Sequence, residues 1–200
     1  EARWQGADER QCRRDFPWPV WRGEDLSDRT LLVWGEQGLG DEILYAGMIP
    51  DLLRAGAQVV IECDPRLAAL FARSFPTTRV HPRRDPPDPA LLAEGIDGQI
   101  PSASLGQWLR PAFSTFPGHA GYLRADPARV AALRAAYRRL GEGPLIGLSW
   151  RSSAPGRAAD KSIDLAALEP LLRQPATFIS LQYGDSVDER AAVEQRLGVA

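Results

Sequence analysis

Two stretches of this chain gather residue types that can do chemistry. The first is Gly35-Glu36-Gln37-Gly38-Leu39-Gly40-Asp41, three glycines among acids and an amide. Glycines let a ligand come close to the backbone, and the free N–H groups of a helix N-terminus favour anions. A carboxylate at Asp41 can accept the proton of a hydroxyl nucleophile, which is the work of a general base. The same aspartate suits a helix N-cap, a role that needs no function. The stretch is not a phosphate P-loop, because the Gly-Lys-Ser/Thr ending is absent. As a dinucleotide fingerprint it is short of one glycine, since Ile43 holds the third position. Glu62, about twenty residues on, stands where such a site keeps its ribose-binding acid, so a nicotinamide-binding enzyme stays open as an alternative.

The second stretch, Arg151 to Ser162, follows the strand that ends at Trp150 and holds Arg151, Arg157 and Lys161. The chain has twenty-three arginines and one lysine, and that lysine is Lys161. A polar, basic loop of this kind meets phosphate as a set of point charges. It serves equally well as a solvated surface loop. His81 and His119 lie beside prolines with no partner at metal or triad spacing and read as loop histidines.

Both stretches need elements to place them. Thr30 to Trp34 is a short apolar run that suits a strand buried on both faces. Glu42 to Arg54 has helical spacing, with Pro50 marking a bend or restart and Gly56 a stop. Ala57 to Glu62 is the second strand, which gives strand, glycine turn, helix, strand over about thirty residues, the dimension of a right-handed βαβ unit. Asp64-Pro65 opens a helix to Phe75, and Thr77 to Val80 is a third strand. His81 to Pro89 reads as a loop, Gln99 to Leu105 as a further strand and Gly106 to Arg110 as a short helix. After a helix from Asp126 to Leu140 the pattern starts afresh. Pro144 to Trp150 is a strand, Asp164 to Arg173 a helix, Ala176 to Leu181 a strand and Ser186 to Leu197 a helix. The fold class is therefore α/β with parallel sheets. The expected organisation is a tryptophan- and proline-rich strap over 1–29, a first domain over 30–125, a linker helix over 126–143 and a second domain begun at 144–200.

Composition narrows the function classes. With 44% hydrophobic and 25% charged residues the chain can bury a core, which excludes disorder, and a formal net charge of -2 gives no electrostatic case for binding nucleic acid. No window approaches the roughly 18 to 20 apolar residues of a membrane span, and no leader is evident, so the expected location is the cytoplasm. Cys12 and Cys63 match no metal spacing and read as separate thiols, and no Asp-x-Asp motif is present to hold a metal ion. The chain opens on Glu1 and stops at Val199-Ala200 without a terminal pattern, as a piece of something longer would.

The run from Leu31 to Ile43, with its Gly38-Leu39-Gly40-Asp41, resembles the opening of the heptosyltransferase-like glycosyltransferase domain found behind tetratricopeptide repeats in bacterial proteins. Glu1-Ala2-Arg3-Trp4 and the strap resemble the junction at the end of such a repeat array, and Lys161-Ser162-Ile163-Asp164-Leu165 resembles the start of the domain's second half. That family is related to the ADP-heptose lipopolysaccharide heptosyltransferases and more distantly to O-GlcNAc transferases. The resemblance implies a GT-B architecture, two Rossmann-like domains facing across a cleft, and transfer of a sugar from a nucleotide-sugar to a hydroxyl of a glycan or protein. It implies Asp41 as catalytic base and Glu36, Gln37, Gly38 and Gly40 as the acceptor-side loop. Ser149, Arg151 and Lys161 would bind the donor phosphates, with inversion at the sugar and no metal or other cofactor. The family's later nucleotide-binding segment has no counterpart before Ala200. A non-catalytic interaction module attached to a repeat array is the second reading.

Overall fold

Every residue of Leu31-Leu32-Val33-Trp34 is apolar, so a strand made from them must be covered on both faces, and it is. The computed structural model describes residues 14–36, 38–118, 121–141, 143–152 and 159–198. The chain divides into two compact units, Glu1–Asp126 and Pro127–Ala200.

In the first unit the order is β1 (Thr30–Trp34), α1 (Leu39–Ala46), α2 (Ile49–Arg54), β2 (Gln58–Cys63), α3 (Pro65–Ser74), β3 (Arg79–Pro82), α4 (Pro89–Leu92), β4 (Gly98–Pro101) and α5 (Leu105–Leu109). The four strands make one parallel sheet in the order β3-β2-β1-β4, with Leu32 opposite both Val60 and Gln99. The chain steps outward from β1 to β3 and then crosses to the other side of β1, so the point where strand order reverses lies between β1 and β4. Open α/β sheets bind ligands outside the carboxyl ends of the strands at such a point.

The two-residue side-chain period of a strand sorts the core into two layers. Leu31, Val33, Val59 and Ile61 pack with Ile49, Leu52, Leu67 and Phe71 on the helical side. Leu32, Trp34 and Val60 pack on the other side with Phe16, Leu91 and Ile96. Phe16 belongs to the strap, and burying such an aromatic ring stabilises by about 1.5–3 kcal/mol. The strap also lies along the β4 edge: Gln99 N–H donates to Pro19 O and Trp21 N–H to Gln99 O, each at 2.9 Å. Trp4 lies outside the described residues.

Pro50 marks a restart. The helix ends at Ala46, and α2 begins at Ile49 with the proline in its first turn, where a missing N–H costs nothing. Asp64 caps α3 by accepting from Arg66 N–H at 2.9 Å. The stretch expected as a loop from His81 to Pro89 differs at both ends: β3 continues to Pro82, and Asp88 caps the short α4 by accepting from Ala90 N–H at 2.9 Å. His81 is thus a strand residue with a partner, its Nε2 standing 3.2 Å from Glu94 Oε1. β4 is shorter than expected because the chain turns into a 3-10 segment at Ser102–Ser104.

The second unit contains α6 (Pro127–Tyr137), β5 (Leu145–Leu148), α7 (Glu169–Leu172), β6 (Thr177–Ser180) and α8 (Val187–Leu197). β5 and β6 pair in parallel, and Trp150, Leu165 and Val193 form its buried core. The helix expected over Asp164 to Arg173 is two pieces. Asp164 caps a 3-10 turn at Leu165–Leu168, and Pro170 falls in the first turn of α7. A groove of about 620 Å³ runs along β6 and α8. No described helix is long and apolar enough to cross a membrane.

Candidate functional site

The glycine stretch leaves the carboxyl end of β1 and enters α1, which puts it beside the strand-order reversal. Glu36 is only 1% exposed and turns inward, its Oε1 accepting from Ala103 N–H at 3.0 Å. It ties the segment after β1 to the segment after β4 and does not present itself to a ligand, unlike the expectation for an acceptor-side residue. Gln37 lies outside the described residues. Gly38 is the N-cap of α1, and Asp41 sits three residues on, half-buried, with Oδ2 accepting from Gly38 N–H at 3.2 Å. Glycine has no side chain to reciprocate, so only half of a capping box is made. Among the described residues the other oxygen of Asp41 has no hydrogen-bond partner.

Gly40 is the informative glycine. A Cβ placed on it would meet nothing within 4 Å, and its φ is not positive, so neither packing nor backbone conformation requires glycine there. In the first turn of a helix it costs about 0.5–1 kcal/mol relative to alanine. Among the described residues, nothing fills the space a side chain at Gly40 would enter.

Below this edge lies a charge network absent from the sequence reading. Glu42, the residue after Asp41, is buried; its Oε2 accepts from Asp64 N–H at 2.8 Å and its Oε1 pairs with Arg83. Glu62 is 1% exposed, and Arg14 of the strap takes both its oxygens, at 3.0 and 2.5 Å, while also donating to Arg84 O at 2.6 Å. Burial pushes the Glu42 and Glu62 carboxyls above their ordinary range, with the hydrogen bonds from Asp64 N–H, Arg83 and Arg14 opposing it. Cys63 between them is pushed up to about 12, first by burial and then by the Glu42 charge, which disfavours its thiolate. Gly35 is glycine because a Cβ there would run into Arg83 Nη2 and the Glu42 carboxylate. Glu62 thus faces Arg14 and not a ribose, which removes the acid from the nicotinamide alternative. Nothing in local spacing marks Arg14 or Arg83 among twenty-three arginines.

The carboxyl edge of the second unit carries the other stretch. Ile163 N–H donates to Trp150 O at 2.9 Å, and Ser152 N–H to Ser162 Oγ at 3.0 Å. These two bonds close the base of the loop, so Lys161, exposed at the end of a 3-10 turn at Ala159–Lys161, stands beside the segment that follows β5. Among the described residues no side chain pairs with Lys161, whereas Arg151 donates to Asp185 O at 2.6 Å and pairs with Glu189 at 3.3 Å. Residues 153–158, including Arg157, lie outside the described residues. Ser149 is exposed, its Oγ 3.4 Å from Gln182 Oε1. Among the described residues no group of three or more His, Cys, Asp or Glu side chains could hold a metal ion, and Cys12 and His119 fall outside them.

No protein-family model matches the chain. Its sequence is similar to Protein FlbA of Caulobacter vibrioides (strain ATCC 19089 / CIP 103742 / CB 15), 35% identical over an alignment of 213 residues that takes in all of this chain and 36% of FlbA. The chain therefore spans little more than a third of the length of that relative. Among solved structures it is similar to the bacterial iron-containing dodecameric glycosyltransferase TibC from enterotoxigenic E. coli H10407, with a TM-score of 0.47 and 13% identity over 85% of this chain and 52% of that one.

Proposed function

We propose that this chain serves glycosyl transfer, moving a sugar from a nucleotide-sugar to a hydroxyl of a glycan or protein, with its two units forming parts of a GT-B arrangement behind a tetratricopeptide-repeat region. The observation that carries the reading is the pairing of Asp41 with the open space at Gly40, on the first turn of a helix at the carboxyl edge where strand order reverses. Asp41 takes the proton from the acceptor hydroxyl as its oxygen attacks the anomeric carbon. The bond from that carbon to the diphosphate breaks as the new one forms, so a single displacement inverts the centre. Lys161 and Arg151 offset the charge developing on the departing nucleoside diphosphate, which leaves no step that needs a metal ion.

Thermal shift of the full-length protein with ADP, UDP, GDP, CMP and NAD and their sugar conjugates tests the reading, because a ligand that binds the native state raises its melting temperature. A selective shift with one nucleotide-sugar is expected. With that donor, Asp41→Asn should lower turnover by about a hundredfold while leaving the shift unchanged; a collapse of the melting temperature instead would reduce Asp41 to a cap. One observation favours an interaction module: Arg151 already spends its charge on Glu189. Silence of the folded protein across the panel would decide for that module.

A further inference from the structure

Gln182 follows β6 at the carboxyl edge of the second unit, and its side chain bonds to the backbone of the segment that follows β5. Its Oε1 accepts from Trp150 N–H at 2.9 Å and Arg151 N–H at 2.8 Å, with Ser149 Oγ at 3.4 Å. Its Nε2 donates to Arg151 O at 3.1 Å and Tyr183 O at 2.8 Å. Two successive backbone N–H groups converging on one oxygen need an acceptor, and the two carbonyls beside them need donors. A carboxamide is the side chain that supplies both without charge. Glutamate would keep the acceptor but set a second oxygen against the two carbonyls; alanine would leave all four backbone groups to water. Gly184, with φ of +84°, turns the chain immediately afterwards.

We propose that Gln182 is the positioning residue of the nucleotide-sugar loop, fixing the backbone of Ser149–Arg151 so that this segment and Lys161 meet the donor diphosphate already formed; the inference rests on the glycosyl-transfer reading. Gln182 touches no reacting atom. Its contribution is preorganisation, which lowers the ordering cost that the ligand would otherwise meet. A neutral side chain at this place also keeps negative charge away from a site for a polyanion, where Glu189 already supplies one carboxylate.

The test uses the full-length protein with Gln182→Ala and Gln182→Glu, probed with ADP, GDP, UDP and CMP. The nucleotide that binds the unaltered protein should bind Gln182→Ala about tenfold or more weakly, the effect of losing one or two hydrogen bonds' worth of order. Gln182→Glu should bind more weakly still, with the gap between the variants closing as salt screens the added charge. A merely structural role would lower the melting temperature of both ligand-free variants without that order or that salt dependence. An unchanged dissociation constant in Gln182→Ala overturns the role. If the unaltered protein binds none of the four, the glycosyl-transfer reading fails and this role with it. Should the variants not fold, hydrogen exchange of the unaltered protein with and without the bound nucleotide decides. Trp150 and Arg151 amides that are already slow before the nucleotide binds and slow further when it binds support the role. Amides that the nucleotide leaves unchanged, or that are protected only once it is bound, overturn it.

Discussion

The two sheet edges hold their charges in opposite ways. At the first, Glu62 and Arg14 are paired with their side chains 1% and 8% exposed, and Glu42 and Arg83 are nearly as deep. At the second, Arg151 and Glu189 meet with side chains 42% and 26% exposed, and it is neutral Gln182 that orders the backbone. A buried pair is removed from water whether or not a ligand is present, so it behaves as a fixed part of the platform under Asp41. A half-exposed pair is more strongly screened by solvent, so Arg151 is held less firmly than Arg14, while Glu189 also accepts from Leu165 N–H at 3.3 Å. On the proposed reading, the first edge would hold a base in place and the second would exchange one set of polar partners for another.

The largest expected effect breaks this contrast at its deepest point. Glu62→Ala strands the Arg14 guanidinium out of water and should destabilise the first unit by about 3–5 kcal/mol, whereas Glu189→Ala should cost the second unit less than about 1 kcal/mol. Urea unfolding of the full-length protein, followed in each unit by hydrogen exchange, checks both. Equal losses would erase the distinction between the edges.

A middle-sized effect sharpens the contrast within the first edge. Gly35 and Gly40 flank the same turn, but only Gly35 has neighbours that a methyl would strike. Gly35→Ala should therefore destabilise, and Gly40→Ala should stabilise by about 0.5–1 kcal/mol, the usual gain of alanine over glycine in a helix. With the acceptor in hand, Gly40→Ala should also raise its KM, because the methyl enters the space left open beside Asp41. Unaltered acceptor kinetics would show that no substrate uses this space.

How much of this was legible beforehand follows the range of the interactions. β1 and β2 were written in continuous apolar runs, the restart at Pro50 in a single residue, and Asp41's place on the first turn of a helix in the glycine spacing before it. These are local signals. The partners of Glu42 and Glu62 come from Arg83 and Arg14, forty-one and forty-eight residues away, and no local pattern distinguishes those arginines from the rest. Glu36 was legible as a residue of the turn but not as an inward one, since its fate depends on Ala103 N–H arriving from beyond β4. Gln182 carried no signal at all, because all the partners of its side chain but the carbonyl of Tyr183 lie more than thirty residues earlier.

The smallest expected effect concerns the surface counterpart of the buried network. Asp64 caps α3 and pairs with the exposed Arg66, and the hydrogen bond from that guanidinium, joined by the Arg66 N–H, holds its carboxyl down at about 2 against an ordinary value of 3.8. The native state therefore binds fewer protons than the unfolded chain between those two values. The stability Asp64 contributes is complete above the unfolded value and is lost as pH falls through the folded one. Asp64→Asn keeps an oxygen for the cap but cannot titrate. Its deficit relative to the unaltered protein should be under about 1 kcal/mol at pH 6, as for an exposed pair, and should shrink steadily toward zero as pH falls from 4 to 2. Urea midpoints of the two proteins over that range measure it. A deficit independent of pH would mean that Asp64 works through its cap geometry alone, and the first edge would then owe its order to the buried pairs without help from its surface.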